Sequence, residues 1–556
     1  MPQIFLGLAA AVALFIVLTL PSRSAHLGAI APQHRIVFGG YHIHTKRSDG
    51  TGSADSIAEA ASRAGLQFII LTDHGDGTRT PDAPQYRHGV LTIDAVEIST
   101  SGGHLAALGL RSAAPYPLAG EPRDVIEDVH RLGGWAVVAH PDSPKPALQW
   151  HTWNVPYDGV EWLNIDSEWR DESRAHLAAT FARYFFRGPE TIASLFQRPV
   201  QTLRRWDLTT RNRPVVGLAA LDAHARLPWR TSNRGEGEGT LAALPSYRQM
   251  FRTLSLAAVL ERPLSGDATD DAARVLAALR AGRSFSVVTA IAAPGSLEFS
   301  ATQNDTVVQM GESVEPAGAP VSFQALVNDT TARLSLLQNG VPIATGHGRL
   351  DYNGSIAAGS YRVEAYRPGV SFPWMVSNPI YAGEPLAAPD RATRPAATRI
   401  IALPGPAGWA IEHSETSTGS FTQAADATQF SFALGSGAPS SQFAALTSGL
   451  DAAAAQEGFD RVQFNVHADR PTRFSVQLRL GAGQRWRYSV YADETPRDVT
   501  AYLEDFQPAE RTTSNRPIVA RVRSVLFVID TLNATPGTRG TVWLSHVGLG
   551  VGNTER

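Results

Sequence analysis

Short apolar runs and amphipathic stretches alternate through the first half of the chain. RIVFGGYHIH, which begins at Arg35, has the β-branched content of a strand, and QFIILTDH, which begins at Gln67, is the next run of this kind. Between them, SADSIAEAASRAGL has apolar residues at helical spacing after Ser53 and Asp55, either of which suits a helix N-cap. Further strands are predicted at LTIDAVEIS, HLAALGL, WAVVAHP, DGVEWLN and RPVVGLAALDAH, and a further helix at EPRDVIEDVHRLG. This alternation predicts an α/β domain with a largely parallel sheet at residues 33–290.

The pattern changes near residue 290, beyond which apolar and polar residues alternate with a period of two between turn residues. SLEFSATQ, PVSFQALV, ARLSLLQNG and GSYRVEAYR predict a small immunoglobulin-like β-sandwich at residues 291–384. A linker rich in proline and alanine is predicted at 385–399. Later strand-like runs, among them DRVQFNVHA and SVLFVIDTLN, predict a second β-sandwich of the jelly-roll kind at 400–556. The predicted fold class is therefore α/β plus β.

An uncharged apolar run, Ile4–Leu20, lies near the start of the sequence. It is slightly long for the core of a signal peptide and slightly short for a membrane span. Small residues follow at the spacing of a cleavage site before Ala25. Residues 1–24 are therefore predicted to be a signal peptide or an N-terminal membrane anchor through residues 4–20, with cleavage favoured over retention. Either way we expect an exported protein, periplasmic or membrane-anchored and facing outside the cytoplasm.

Composition narrows the chemistry that the chain can use. The 556 residues carry a formal net charge of -3, with a pI near 6.6 and no cluster of Lys and Arg, so nucleic acid is not an expected partner. The chain has no cysteine, so a metal site must use His, Asp or Glu. Without cysteine and without a G-x-S-x-G motif, cysteine and serine hydrolase chemistry are not supported.

Histidines and carboxylates stand at the ends of the predicted strands of the first domain. His42 and His44 end the first strand, and Asp222 and His224 end the last. Residues i and i+2 project from the same face of a strand, so each pair is able to hold one metal ion. Residues of the same types between them are Asp49, Asp73, His74, Glu97, His104 and His140. Because the carboxyl ends of parallel strands converge, we expect one site for several Zn, Mn or Fe ions rather than ordinary exposed strand ends.

Five segments of this region carry a more specific pattern. They are GGYHIHTKRSDGTGS, IAEAASRAGLQFIILTDHGDGT, VEISTSGGHLAALGL, AHPD and GLAALDAH. In this order, from His42 to His224, they resemble the motifs of the PHP (polymerase and histidinol phosphatase) superfamily of metal-dependent hydrolases. With the sandwich after them, they are similar to its carbaryl-hydrolase-like (CehA/McbA) branch. The resemblance implies a distorted (β/α)7 PHP barrel followed by two β-sandwich domains, with two to three divalent metal ions (Zn, Mn or Fe) in the barrel.

The resemblance also implies which residues bind the ions. The implied ligand sets are His42, His44, Glu97 and Asp222 for one ion, Glu97 as a bridge with His104 and His140 for a second, and Asp49, His74 and His224 for a third. Two positions depart from the family pattern. Many members have Asp two residues before the first histidine, where this chain has Gly40, and some have His where this chain has Asp49.

The activity that the resemblance implies is metal-dependent hydrolysis, in which a water shared by two ions loses its proton and attacks in line. We expect an exported phosphoesterase that acts on a small ester through a metal-bridged hydroxide. Two alternatives stay open. One is a carboxyl-ester, carbamate or amide hydrolase of the same fold, and the other is a non-catalytic envelope protein that binds glycans.

Two further residues are candidates for a role at the site. Asp73 precedes His74 and would orient an imidazole, or else serves as an ordinary turn carboxylate. Arg248, in the segment SYRQMFRTL, would bind a phosphate, or else belongs to a solvated helix face.

The C-terminal strands resemble galactose-binding-like modules that are associated with carbohydrates. LRLGAGQRWRYSVYADETPRDVTAYLEDF and SVLFVIDTLNATPGTRG carry this likeness. Such modules often bind sugars through exposed aromatic residues, for which Trp486, Tyr488 and Tyr491 are the candidates. The alternative is that these aromatics alternate into the core of the sandwich. The expected partners are therefore a small-molecule ester and a glycan at the C-terminal domain.

Overall fold

A computed structural model gives the fold. It describes residues 14–28, 35–170, 172–229, 239–242, 244–316, 320–383, 394–403, 408–424, 427–437, 442–450, 455, 458–509, 514 and 516–552. The chain divides into two compact units. The first comprises residues 1–75, 80–112 and 126–390, and the second comprises residues 76–79, 113–125 and 391–556.

The helices are short, and four of them follow one another between the strands Gly159–Asn164 and Val216–Ala220. They are α1 (residues 14–19), α2 (Ala54–Ala64), α3 (Pro122–Arg131), α4 (Ile165–Arg170), α5 (Arg174–Tyr184), α6 (Gly188–Ala193), α7 (Val200–Thr210), α8 (Tyr247–Phe251) and α9 (Ala268–Arg280). The sequence predicts α2 and its cap correctly, because the Ser53 side chain accepts a hydrogen bond from the backbone N–H of Ser56. Gly65, in the left-handed region at φ 82°, ends this helix. Among the described residues, no helix is long and apolar enough to cross a membrane, and most of the predicted leader, residues 1–13, lies outside them.

The first unit contains most of the strands. They are β1 (Ala25–His26), β2 (Ile36–Ile43), β3 (Phe68–Leu71), β4 (Gln85–Arg87), β5 (Val90–Asp94), β6 (Val96–Thr100), β7 (Gly103–Leu108), β8 (Trp135–Val138), β9 (Gly159–Asn164), β10 (Val216–Ala220), β11 (Leu227–Trp229), β12 (Gly239–Ala242), β13 (Ser255–Val259), β14 (Ser284–Val287), β15 (Ala292–Ala293), β16 (Leu297–Gln303), β17 (Thr306–Gln309), β18 (Ser313–Val314), β19 (Val321–Val327), β20 (Arg333–Gln338), β21 (Val341–His347), β22 (Arg349–Gly354), β23 (Gly359–Tyr366), β24 (Met375–Ser377) and β25 (Ile380–Ala382).

Seven of these strands are linked in a closed ring. β6 to β10 form one sheet, and β2 pairs with β3 in another. Two parallel bridges join the sheets, one between Ile43 and Ala223 and one between His74 and Glu97. Backbone hydrogen bonds accompany both bridges, from His44 N to Ala223 O at 3.0 Å and from Glu97 N to the carbonyl oxygen of Asp73 at 3.1 Å. The joints of the ring therefore carry several of the predicted metal ligands.

The strands of the ring do not all run in the same direction. β2 and β3, β8 and β9, and β9 and β10 pair in parallel, but β7 is antiparallel to both β6 and β8. The prediction of a largely parallel sheet was therefore wrong in part. The reason is the hairpin between β6 and β7, which leaves no room for a crossover helix. Gly103 begins β7 at φ 118°, and a β-carbon there would lie 2.9 Å from the carbonyl oxygen of Gln149, so only glycine fits.

The sandwich strands β16–β25 enclose one apolar core, and their sheet continues into the ring. β23 pairs with β24, β24 with β14, β14 with β13 and β13 with β2. Val287 and Met375 are opposite each other in this pairing. The sequence pattern changes at residue 290, but the hydrogen-bonded sheet crosses that point without interruption.

The second unit is made of two antiparallel sheets of six strands each. Its strands are β26 (Arg399–Ala402), β27 (Trp409–His413), β28 (Thr418–Gln423), β29 (Thr428–Ala433), β30 (Phe443–Gly449), β31 (Arg461–Ala468), β32 (Thr472–Leu480), β33 (Arg485–Ala492), β34 (Arg497–Tyr502), β35 (Gln507–Pro508), β36 (Val522–Asp530) and β37 (Arg539–Val551). The predicted β-sandwich is present. One sheet has the order β28, β29, β37, β31, β34, with β26 on β37, and the other has the order β27, β30, β36, β32, β33, β35.

Two of the three predicted sugar-binding aromatics lie in the core of this unit. Trp486 is 2% exposed and Tyr488 is 8% exposed, because alternate residues of β33 point inward. Their proposed role as exposed sugar contacts was therefore wrong. Tyr491 lies on the other face of the strand, where the Arg497 guanidinium is 5.0 Å from its ring centroid.

Candidate metal centre

The nine predicted metal ligands come together at one edge of the strand ring. His42 and His44 lie at the end of β2, His74 follows β3, and Asp222 follows β10. Because β7 runs against its neighbours, its beginning rather than its end lies at this edge, and this brings in His104. Four overlapping groups have ligand atoms that lie within 4.8 Å of one another: His42, His44 and Glu97; His42, His140 and Asp222; His74, Glu97 and His104; and His44, Asp49, His74 and His224.

Glu97 is the centre of this cluster. Its Oε1 lies 2.7 Å from His104 Nδ1 and 2.8 Å from His140 Nε2. Its Oε2 lies 3.2 Å from nitrogens of three further imidazoles, those of His42, His44 and His74. Its two oxygens therefore face different sets of histidines, as in a carboxylate that bridges two metal ions.

The spacing of the ligand atoms fits a metal ion. Donor atoms about 2.1 Å from a tetrahedral ion lie about 3.4 Å apart. His44 Nε2 lies 3.2 Å from Glu97 Oε2 and 3.3 Å from Asp222 Oδ1, but it is buried and makes no hydrogen bond in the part of the chain that the structure describes. A buried polar atom without a hydrogen bond costs about 1–3 kcal/mol, which a metal–ligand bond would offset.

The cluster is buried at one end and open at the other. His42 and Glu97 are at most 1% exposed, whereas the side chains of His74 and Asp49 are 37% and 39% exposed. Asp49 Oδ1 lies 3.2 Å from His224 Nε2 and 3.7 Å from His74 Nε2. The cluster is therefore open to solvent on the side of Asp49 and His74.

A buried carboxylate that is not among the predicted ligands contacts two of the ligand segments. Glu161, on β9, accepts a hydrogen bond from His42 Nδ1 at 2.6 Å and another from the backbone N–H of His140 at 2.7 Å. Asn164, at the end of the same strand, donates to Glu161 at 2.9 Å and to Asp222 Oδ2 at 3.3 Å. The bond at Nδ1 leaves His42 Nε2 as the atom that faces Glu97 and Asp222.

Asp73 holds the loop that follows His44. Its carboxylate accepts hydrogen bonds from the backbone N–H and the hydroxyl of Thr45, at 2.8 and 2.9 Å, and from the hydroxyl of Ser48 at 2.7 Å. Of its two predicted roles, the structure favours the turn carboxylate. It reaches an imidazole only through Ser48, whose hydroxyl lies 3.3 Å from His44 Nδ1.

The Tyr247 hydroxyl links two of the segments that carry candidate ligands, and no sequence pattern indicates this role. Its hydroxyl donates to the backbone carbonyls of His44, at 2.8 Å, and His224, at 3.0 Å, and accepts from the N–H of Thr51 at 3.1 Å. Gly50 makes this approach possible. A β-carbon there would lie 2.2 Å from the His44 carbonyl oxygen and 2.8 Å from the Tyr247 hydroxyl.

Three candidate ligands have unusual backbone conformations. His42, His140 and Asp222 have φ values of 63°, 30° and 47°, in the left-handed region that favours glycine. Non-glycine residues held there cost of the order of 1–3 kcal/mol each and are concentrated at functional sites. The chain accepts this strain at the three points where ligand side chains must leave their strands toward one centre.

The electrostatics of the cluster suit a cation. Burial lowers the pKa of His44, but the contacts with Asp222 and Glu97 outweigh it and raise that pKa to about 10. Burial likewise lowers the pKa of His140, and Glu97 raises it to about 9. Burial raises the pKa of Glu97, but the charge of His42 and its other imidazole contacts hold that pKa well below its usual range. Positive charge is therefore strongly favoured here, and a metal ion would replace protons on these imidazoles.

Gly40, the departure from the family pattern before the first histidine, has a steric reason. A β-carbon on Gly40 would lie 2.8 Å from Leu221 Cδ1 and 3.2 Å from Phe251 Cε1. Apolar side chains therefore occupy the space that an aspartate would need, and Glu161 is the carboxylate that contacts His42 Nδ1.

The structure does not bring Arg248 to the cluster. Its side chain is exposed on α8, while Tyr247 and Met250 on the same helix are buried.

An apolar cavity of about 150 Å³ is lined in part by residues that closely follow residues of the site in the sequence. Trp169, Leu177 and Phe181 line it, as do Ile165, which follows Asn164, and Arg226, two residues after His224.

Comparison with known proteins gives one relative with a significant match. No protein-family model matches the chain. The uncharacterized protein MJ1587 of Methanocaldococcus jannaschii is 30% identical over 138 residues, which cover 22% of this chain and 79% of the relative. The chain belongs to the family of this archaeal protein. Since MJ1587 is itself uncharacterized, membership of its family assigns no activity.

Solved structures with partial similarity are carbohydrate-associated proteins. A family 11 carbohydrate-binding module of the cellulase Lic26A-Cel5E of Clostridium thermocellum is 13% identical, with 27% of this chain and 91% of that chain covered and a TM-score of 0.22. An exo-β-agarase is 8% identical, with 27% and 25% covered and a TM-score of 0.21. A point mutant of a family 29 carbohydrate-binding module is 10% identical, with 28% and 91% covered and a TM-score of 0.18. TM-scores this low do not assign a function to this member of the MJ1587 family.

Proposed function

We propose that this protein is a multinuclear metal-dependent hydrolase of the PHP type, and that its substrate is a small phosphate ester. The observation that carries the proposal is the position of Glu97, whose two oxygens face five imidazoles within 3.2 Å. The closed ring of seven strands supports the distorted barrel that the sequence motifs imply.

Two to three divalent ions would be held by the overlapping ligand groups. The residues that would hold them are His42, His44, Asp49, His74, Glu97, His104, His140, Asp222 and His224. Such ions, when bound, lower the pKa of water and stabilise the charge that develops on the oxygens of an ester. The chain's own contribution is to fix the ligands. Glu161 orients His42, and Tyr247 fixes the backbone beside His44 and His224.

Charge favours a phosphate ester over a neutral ester. Three carboxylates, those of Asp49, Glu97 and Asp222, are among the candidate ligands. Three divalent ions carry about +6, which exceeds the summed charge of these three ligands, Glu161 and a hydroxide, so the fully loaded site would keep a positive charge that attracts an anion. The apolar cavity lined by Ile165 and Arg226, which follow Asn164 and His224 in the sequence, would suit an aryl or alkyl group on the same substrate. A carboxyl ester, carbamate or amide is the alternative substrate for the same site. Its reacting group is neutral, so the positive charge of the loaded site would not attract it.

The test is metal content together with substrate preference. Purified protein, analysed for its elements, is expected to hold at least two equivalents of Zn, Mn or Fe and to hydrolyse an aryl phosphate faster than the matching aryl carboxyl ester. Asp222→Asn, which keeps the shape of the side chain, should lose metal and at least about 100-fold of the activity. His347→Gln, at an exposed position on β21, is the control and should change neither.

Two outcomes would contradict the proposal. If a folded Asp222→Asn variant kept its metal and its turnover, the assignment of this cluster as the active site would be wrong. A preference for the aryl carboxyl ester would keep the metal centre but replace the phosphate ester with its alternative.

We propose glycan binding by the second unit as a separate function, which matches the non-catalytic alternative. On the outer face of its first sheet, the rings of His467 and Trp543 stack with centroids 4.8 Å apart and an angle of 2° between their planes. A surface cavity on the same unit is lined by polar residues that include Asp469, Arg470 and Arg539. A flat aromatic surface beside charged donors and acceptors suits a sugar ring.

Affinity electrophoresis on soluble β-glucans and agarose fragments tests this second proposal. We expect retardation of the wild-type chain and its loss in Trp543→Ala. Tyr488→Phe, which keeps the buried ring, is the control. Equal mobility of the wild type with and without every glycan would contradict the proposal.

A further inference from the structure

Half of the exposed large apolar side chains among the described residues belong to two short segments. Four of these fourteen side chains are on α1, where Leu14, Phe15, Val17 and Leu18 are 53–74% exposed. Three are at the end of α5, where Phe181, Phe185 and Phe186 are 48%, 63% and 67% exposed. Clusters of this kind are costly in water and mark surfaces that bind a partner or a membrane.

The two segments lie against each other. The Arg183 guanidinium of α5 donates to the backbone carbonyl of Thr19 at 3.2 Å, and the Arg187 guanidinium donates to the carbonyl of Pro21. The rings of Phe181 and Phe185 are in edge contact, with centroids 5.1 Å apart. We call Phe181, Phe185 and Phe186, together with the exposed residues of α1, the apolar patch.

The chain that follows α1 is built into the first unit on both sides of the predicted cleavage point. The backbone N–H of Ser24 donates to Glu190 at 3.1 Å, and its hydroxyl donates to the carbonyl of Thr289 at 2.7 Å. Ala25 then begins β1, which pairs in parallel with β15. Cleavage before Ala25 would remove the Ser24 bonds and leave the carboxylate of Glu190 without this donor.

We propose that the leader is retained and that the apolar patch rests on the lipid bilayer that the leader enters. The α1 part of the patch belongs to the run Ile4–Leu20, which has no charged residue and is therefore most stable in hydrocarbon. Arg183 and Arg187 flank Phe185 and Phe186 in the sequence and bind the backbone that follows α1, and basic residues are common at the interface with lipid headgroups. The leader and α5 thus hold one side of the first unit at the membrane surface.

Site-directed labelling tests the contact, and it is specific because the chain has no cysteine of its own. The full chain with Phe185→Cys, carrying a polarity-sensitive fluorophore, is reconstituted into vesicles of phosphatidylcholine and phosphatidylglycerol. Val307→Cys, at a position that is 56% exposed on β17, is the matched control. We expect a blue-shifted emission and several-fold quenching by a brominated lipid for the label at 185, and neither for the label at 307.

Three results would overturn the proposal. The first is an aqueous spectrum for the label at 185 in chains that float with the vesicles. The second is a blue shift that needs no lipid and depends on protein concentration, which would make a second copy the occupant of the patch. The third is an intact mass, for wild-type protein isolated from cells, that begins at Ala25.

Discussion

Glu161 illustrates how a single residue that is not itself a ligand would affect the properties of the proposed metal centre. It is 1% exposed and contacts both the His42 ring and the backbone of His140, so it orients two ligand segments at once. Carboxylates in this position fix the tautomer of the imidazole and increase its basicity, and their loss weakens metal binding about 10- to 100-fold in comparable sites.

We therefore expect Glu161→Gln to weaken metal affinity by about 10- to 100-fold while the protein stays folded. The amide keeps the shape of the side chain but loses the negative charge beside His42. Competition with a coloured chelator measures the affinity. Glu261→Gln, at a side chain that is 79% exposed, is the control and should bind as the wild type does. Equal affinities for the two variants would show that Glu161 is not part of the centre.

At this scale the sequence predicts which candidate ligands come together better than it predicts the residues that hold them in place. The nine candidate ligands could be named because His, Asp and Glu stand out at the ends of apolar strands. Glu161 lies inside one such strand, and nothing near it in sequence indicates that its partner is His42. Tyr247 acts through its hydroxyl on backbone atoms of residues far away in the chain, and sequence patterns carry no information about such contacts.

Helix α7 and strand β23 are joined by a buried group of charges. The Arg362 guanidinium makes hydrogen bonds to Asp207 at 2.8 and 3.0 Å and to Glu364 at 2.6 Å. Arg198 binds the same Glu364 at 2.6 and 2.8 Å. Arg362 is 1% exposed, so its charge is compensated almost entirely by these partners.

Removing this arginine should be strongly destabilising. We expect Arg362→Met to lower the free energy of unfolding by about 3–5 kcal/mol, because Asp207 would keep a buried charge without its partner. Arg349→Met breaks a pair with Asp351 in which both side chains are more than half exposed, and it should change the free energy of unfolding far less, because solvent screens the pair. Chemical denaturation of the two variants measures the difference, and equal losses would contradict the role of burial.

The same group of charges predicts how stability depends on pH. Burial raises the pKa of Glu364, but the charges of Arg362 and Arg198 outweigh it and lower that pKa from 4.5 to about 2. In the unfolded chain this carboxyl binds its proton near pH 4.5, so the unfolded state gains protons first as the pH falls. Its contribution, about 3 kcal/mol, is present above about pH 4.5 and is lost between about pH 4.5 and 2.

Denaturation at a series of pH values measures this loss. Glu364→Gln, which cannot titrate, should show a shallower decline over the same range, even though it begins from a lower stability. A decline as steep as that of the wild type would assign the acid sensitivity to other carboxylates.

Sequence patterns predict most strands and helices but not their directions. LTIDAVEIS, which the pattern predicts as one strand, forms β5 and β6, which Ala95 separates. β7 runs antiparallel because the connection before it is a tight hairpin, and it is this reversal that brings His104 to the ligand edge. Local composition does not encode the direction of a strand, which depends on pairing with distant parts of the chain.

For the molecule as a whole, bound metal is expected to contribute to stability. The strained backbone at His42, His140 and Asp222 and the clustered carboxylates cost free energy that ligation offsets. Removal of metal by a chelator should therefore lower the thermal midpoint of the first unit by several degrees, and added metal should restore it. Scanning calorimetry of the full chain makes the measurement. An unchanged thermogram would show that the cluster does not bind the metal supplied.

The continuous sheet from β24 through β14 and β13 to β2 has a consequence for synthesis on the ribosome. β2 is synthesised early, but its neighbour β13 is synthesised only after all the candidate ligands. β14 then stays unpaired along one edge until β24 has been synthesised. Until Met375 emerges, the nascent chain exposes an unpaired strand edge, which is a template for aggregation. Since these pairings join segments that are far apart in the sequence, we expect folding to be slow, and truncation before β24 leaves β14 without one of its two neighbours.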